Sequence, residues 1–109
     1  MKTINGNVYV FHNEMPYCRD GFTHKSTLLR NGNVISEARA HYINRTWEVY
    51  QFQTSMRSAV QQEIDLQLRE LIDHYKRENG KSRVSQAKKD ELAASTPLMS
   101  ELKELYDSL

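Results

Sequence analysis

The chain has 109 residues, of which 39% are hydrophobic and 27% charged, and a formal net charge of +1. This length fits one domain with its own core, and the composition is that of a globular chain rather than a disordered one. The near balance of 15 basic and 14 acidic side chains argues against a strongly basic DNA-coating protein and against an acidic mimic of DNA.

The first half of the chain predicts strands. Residues 8–11 have the composition of a short strand, and residues 13–22, which contain proline and glycine, indicate a loop. Asn31-Gly32 lies between two apolar runs and predicts a type I′ hairpin that pairs Leu29 with Val34. In the second arm of this hairpin, alternation predicts a core face made of Val34, Ser36, Ala38, Ala40 and Tyr42.

A further strand is predicted over residues 46–53, after a turn at Asn44-Arg45, and its register stays open. In one register Trp47 joins the core face, and Tyr50 and Phe52 lie on the opposite face of the sheet. In the other register, shifted by one residue, Tyr50 and Phe52 pack against the helix and Trp47 is exposed.

After residue 54 the apolar period becomes helical. Apolar residues recur every three or four positions over residues 56–75, which predicts one long helix over residues 54–79 that is stopped by Gly80. Ser85 predicts the cap of a short helix that ends at residue 93, and Thr96-Pro97 predicts the start of a last helix. The apolar stripe of the last helix consists of Leu98, Leu102, Leu105 and Leu109.

These elements predict an α+β fold in a single domain, residues 1–109. A small antiparallel β-meander of three or four strands (residues 1–53) packs on one long helix (residues 54–79), followed by a linker and two short C-terminal helices (residues 80–109). The long helix can cover only one face of the sheet, so the other face is left for solvent, a partner or a second copy. The helix is also longer than the strands, so part of it should meet the C-terminal helices or a second subunit.

No pattern in the sequence predicts a catalytic, cofactor or metal site. The four histidines have no metal-ligand spacing, the four glycines have no phosphate-binding spacing, and Cys18 has no second thiol. We therefore expect a protein that is not an enzyme and uses no cofactor. The lone thiol and the lack of a long apolar run predict a cytoplasmic location and no membrane association.

The predicted binding surface is the sheet face opposite the helix. A face that mixes aromatic and charged side chains suits a protein interface or a nucleic-acid platform. The candidate residues for binding a protein are Arg39, His41, Arg45, Glu48, Tyr50 and Phe52. The alternative is a nucleic-acid-binding module that places its sheet in a groove, as integrase arm-binding domains do. The candidate contacts for that alternative are Lys25, Arg30, Arg39 and Arg45.

The stretch Asn44-Arg45-Thr46-Trp47-Glu48, followed by Tyr50, Phe52 and Gln53, resembles a loose group of small proteins encoded by bacteriophages and mobile elements. Residues 33–60 carry the resemblance. It implies a phage-type accessory protein that binds and inhibits a host factor, such as a defence or nuclease complex, as anti-CRISPR proteins do. The group is uncharacterised, so the resemblance implies no particular binding residue. Self-association into a homodimer is compatible with each of these hypotheses.

Overall fold

The computed structural model describes residues 1–18, 21–42 and 52–109. The predicted α+β fold, an antiparallel sheet with one long and two short helices, is confirmed. Along the chain the elements are β1 (Lys2–Ile4), β2 (Asn7–Glu14), β3 (Tyr17–Cys18), β4 (Gly21–Arg30), β5 (Asn33–Tyr42), α1 (Gln53–Asn79), α2 (Gln86–Ala93) and α3 (Pro97–Asp107).

The five strands occupy four positions across one antiparallel sheet, in the order β1, β2, β4, β5. β3 pairs with the same edge of β4 as β2 does, so it continues the line of β2. Met15 and Pro16 separate the two, because proline has no N–H to donate to the strand ladder. The loop predicted over residues 13–22 is therefore wrong in its larger part. Asn13, which looked like a turn residue, is paired with Ser26 of β4.

Two Asn-Gly turns set the register of the sheet. Asn31 and Gly32 have φ angles of 51° and 83°, as a type I′ turn requires, and Leu29 pairs with Val34 as predicted. Asn5 and Gly6 join β1 to β2 in the same way, with φ angles of 51° and 79°. The sequence prediction missed β1, although the same dipeptide follows this strand, because a three-residue strand gives little alternation to detect.

A β-bulge in β5 changes which side chains face the core. Leu28 pairs with Ser36 and the next residue of β4 pairs with Val34, so Ile35 is an extra residue in β5. As a result Ile35 packs against the core and Val34 is 62% exposed. Placing Val34 on the core face was wrong, since strict alternation allows for no bulge, whereas Ala38 is buried as predicted.

The helices α1 and α3 form a second layer on one face of the sheet. α1 packs on β4 and β5, and α3 packs on α1 and β1. The core between the layers takes its residues from the sheet and from both helices. It consists of Ile4, Tyr9, Leu28, Ala38, Ala59, Val60, Ile64, Met99, Leu102 and Leu105.

The end of α1 and the starts of α2 and α3 follow the predicted caps, whereas α1 begins after Phe52 without a side-chain cap rather than at a cap supplied by Thr54 or Ser55. Gly80 ends α1 in a left-handed conformation. The hydroxyl groups of Ser85 and Thr96 each accept a hydrogen bond, 3.2 Å long, from the backbone N–H three residues further on. The buried side of α1 extends only to Ile64, and its distal half contacts α2, as its length of about 40 Å predicted. Among the described residues, no helix is both long and apolar enough to cross a membrane.

The turn residue Asn31 supplies the first testable prediction. Its side chain accepts a 2.9 Å hydrogen bond from the N–H of Val8 and donates a 3.0 Å bond to Asn7, and its φ is positive. We expect Asn31→Ala to lower the free energy of unfolding by about 1 kcal/mol, because alanine loses both bonds and tolerates positive φ poorly. Urea unfolding measures the loss. Asn33→Ala, exposed and without positive φ, is the matched control and should stay near the parent value.

Candidate functional site

The candidate site is the face of the sheet that points away from α1 and α3, called here the outer sheet face. Its side chains come from alternate positions of β2, β4 and β5, and they form rows that cross the three strands. The apolar row consists of Val10, Leu29 and Val34, the middle row of His12, Thr27 and Glu37, and the charged row of Glu14, Lys25 and Arg39.

The apolar row is the most distinctive part of the outer sheet face. Val10 and Val34 are 36% and 62% exposed, and Leu29 between them is half-buried. No described helix packs on this row, because α1 and α3 lie on the other side of the sheet. The bulge at Ile35 is what turns Val34 outward and extends the row to a third strand. The result is a short hydrophobic strip at the surface.

The middle and charged rows carry side chains of both signs. His12 Nε2 lies 2.7 Å from Glu14 Oε1, and Lys25 Nζ lies 3.5 Å from Glu37 Oε2. Arg39 is exposed and makes no ion pair with any residue that the structure describes. It lies directly opposite Lys25, and like charges in this position repel each other. Two carboxylates and two permanent cations leave these rows close to neutral.

Three of the predicted site residues lie on the outer sheet face. Lys25 and Arg39 belong to the charged row, and His41, paired with Thr23, is exposed beyond it. The alternation of β5 was sufficient to place Arg39 and His41. Arg45, Glu48 and Tyr50 lie outside the described residues.

Phe52 does not belong to this surface. It is only 2% exposed and precedes α1 directly, and it packs with Met15 and Met56. Its ring stacks on that of His24, with the ring centroids 4.3 Å apart. The register that exposed Phe52 is therefore wrong at this residue. Residues 52 and 53 belong to the helical segment rather than to the strand predicted there, and the rest of that strand lies outside the described part of the chain.

Arg30, a candidate for nucleic-acid contact, instead belongs to a cluster on the inner side of the sheet. Its Nε donates to the hydroxyl of Tyr9 (3.1 Å), and its Nη2 lies 3.6 Å from Glu101 Oε1. Glu101, on α3, is 1% exposed and also accepts hydrogen bonds from Tyr9 (3.0 Å) and Asn7 (2.8 Å). Burial raises the pKa of Tyr9, and the hydrogen bond with Tyr9 raises the pKa of Arg30. The cluster holds α3 on the sheet.

A shallow groove lies between α1 and α3 among the described residues. Two open concavities of about 290 and 340 Å³ meet at Gln61 and Tyr106. The guanidinium of Arg57 lies 6.0 Å from the ring centre of Tyr106 and donates to the carbonyl of Leu109. The groove is open, and Arg57 already has partners there. It therefore makes a weaker candidate site than the outer sheet face.

Within the described residues, no group of three or more His, Cys, Asp or Glu side chains is arranged to hold a metal ion. Comparison with known proteins found no match to a family model, a curated sequence or a solved structure.

Proposed function

We propose that this chain is a non-enzymatic protein-binding module and that the outer sheet face is its docking surface. The observation that carries the proposal is the exposed apolar row next to rows of mixed charge. Exposed apolar strips bordered by polar side chains are typical of interaction sites, and protein interfaces commonly have an apolar centre with a polar rim. Val10, Leu29 and Val34 would supply the centre.

The charges favour a protein over nucleic acid as the partner. A nucleic-acid interface needs cations that are not already neutralised, because affinity comes largely from contacts with phosphates. Within the three rows of the outer sheet face Lys25 is close to Glu37, which leaves Arg39 as the one Lys or Arg of these rows without an ion pair among the described residues, too few for contacts with several phosphates. Arg30 is engaged with Glu101 on the other side of the sheet. Retardation of DNA or RNA in a gel shift at low salt would contradict this choice.

The resemblance to small phage and mobile-element proteins supports a more specific partner. On that ground we propose a host protein as the target, within a defence or nuclease complex that the module inhibits. The lone thiol, Cys18, suits a reducing compartment and supports action in the cytoplasm of a bacterial host.

Val34→Glu tests the docking surface. The substitution places a carboxylate in the apolar row, where a docked partner would exclude water from it, so we expect capture of the partner to fall by about tenfold or more. The measurement is quantitative mass spectrometry of proteins retained from bacterial lysate at physiological salt by immobilised parent and variant. Leu66→Glu, which changes another exposed apolar residue (44%), at the middle of α1, is the matched control.

The outcomes separate clearly. Retention of a specific protein by the parent and by Leu66→Glu, with loss in Val34→Glu, supports the proposal. Equal retention by all three places the docking surface elsewhere. No specific protein retained by the parent counts against a protein-binding function.

A further inference from the structure

The outer sheet face is complementary to itself. We infer that it accepts a second copy of this chain, so that the protein forms a weak symmetric dimer through its sheet. The inference rests on the proposed function, because both use the same face. It names a second copy of the chain as a partner, and it adds a form of regulation. The dimer hides the apolar row until another protein displaces the second copy.

The symmetry operation is a two-fold axis parallel to β4 that runs between the two sheets. Rotation about this axis keeps each row opposite the same row of the second copy and exchanges the sides occupied by β2 and β5. Residues of β2 in one copy then face residues of β5 in the second copy, and the reverse holds as well, as an isologous interface requires. The contacts join Val10 to the partner's Val34, His12 to the partner's Glu37, and Glu14 to the partner's Arg39.

The apolar contacts come from the row that no described helix covers. Leu29 lies on β4 and so meets the partner's Leu29 near the axis, with Val10 and Val34 on either side. Sheets that pack face to face keep their strands within about 30° of each other and lie about 10 Å apart, so side chains of facing rows interdigitate. In this arrangement Val34 of each copy, exposed in the monomer, becomes buried.

Opposite charges meet in the flanking pair of the charged row. Glu14 meets a cation, the partner's Arg39, and symmetry generates the same pair again. Arg39 has no ion pair among the described residues of its own chain, and it lies beside the like charge of Lys25 on the adjacent strand. A carboxylate from the second copy offsets the repulsion between these two cations. Lys25 meets the partner's Lys25 near the axis, but each is held by its own Glu37 at 3.5 Å.

The small area of the outer sheet face indicates a low affinity between the two copies. Three strands spaced about 4.8 Å apart, over about seven residues each, present a surface of roughly 340 Å² per copy. Such a size is that of weak, transient contacts rather than of permanent dimers. We therefore expect monomers at about 5 µM and a substantial dimer fraction at about 500 µM, with the dimer weakened by added salt.

Charge reversal tests the pairing in sedimentation velocity over this concentration range. Glu14→Arg places two arginines opposite each other in the dimer, and Arg39→Glu places two glutamates opposite each other, so each variant alone should lose tenfold or more in self-affinity. Mixed in equal amounts, the two variants should restore dimerisation, because every pair then joins opposite charges. Glu70→Arg, on the exposed side of α1, is the control and should dimerise like the parent. Thermal melting verifies that each variant is folded.

Restored association in the mixture, absent from either variant alone, supports the dimer and its axis. A parent chain that remains monomeric up to about 500 µM overturns the inference, and so does a mixture that fails to associate while the parent dimerises. The proposed function is tested apart from this. If the parent stays monomeric yet captures a protein that Val34→Glu does not, the docking surface stands and only the second copy is excluded.

Discussion

Leu102→Ala is expected to lower the free energy of unfolding by about 3 kcal/mol, because it removes a fully buried leucine and leaves a cavity. Leu102 lies at the centre of the buried side of α3, between Met99 and Leu105, in the core shared with α1 and the sheet. Urea unfolding followed by circular dichroism measures the change. Leu66→Ala, at an exposed position on α1, is the control and should change stability by less than about 0.5 kcal/mol.

This result would also decide what the apolar stripe of α3 does. The sequence left open whether this stripe completes the core or pairs with its copy in a dimer. In the structure it completes the core, since Leu102 and Leu105 are buried within one chain. Stability should therefore fall equally at low and high protein concentration. A loss that appears only at concentrations where dimers form would contradict this role.

Local signals predicted one hairpin turn, two helix starts and the end of α1 correctly, because the physical cause of each is local. The Asn-Gly turn, the serine and threonine caps and the glycine stop of α1 each depend on a few adjacent residues. The bulge at Ile35 depends instead on how β5 fits against β4, which no local pattern reports. Its consequence, the outward position of Val34, is the feature of the site that the sequence prediction had reversed.

The residues of the candidate site also divide into those that local patterns place correctly and those that depend on distant parts of the chain. Alternation along β5 placed Arg39 and His41 on the outer sheet face. Arg30 of β4, a candidate for nucleic-acid contact, instead lies on the inner side of the sheet, where Glu101 of α3, far along the chain, is its partner. A buried glutamate next to Leu102 in an amphipathic helix was a weak signal in the sequence, since most glutamates at such positions are solvated. Only the packing of α3 against β1 brings the pair together.

Glu101→Ala is the second substitution with a large expected effect, a loss of about 3 kcal/mol in the free energy of unfolding. The glutamate is buried, and its removal leaves the guanidinium of Arg30 and two hydrogen-bond donors, Tyr9 and Asn7, without their acceptor. The estimate is at the low end for a broken buried pair, because the Arg30 side chain is partly exposed and water can reach it. Glu104→Ala, exposed on the same helix, is the control and should be nearly neutral.

Glu101→Gln separates the charge from the hydrogen bonds. The amide oxygen can still accept from Tyr9 and Asn7, so the expected loss is about 1–2 kcal/mol, smaller than for alanine. An alanine variant as stable as the parent would show that the cluster does not hold α3 on the sheet. The cluster and the apolar row lie on opposite sides of the same strands. A folded Glu101→Gln chain should therefore keep the Val34-dependent capture of a partner, because a loss of stability on the inner side leaves the outer sheet face unchanged.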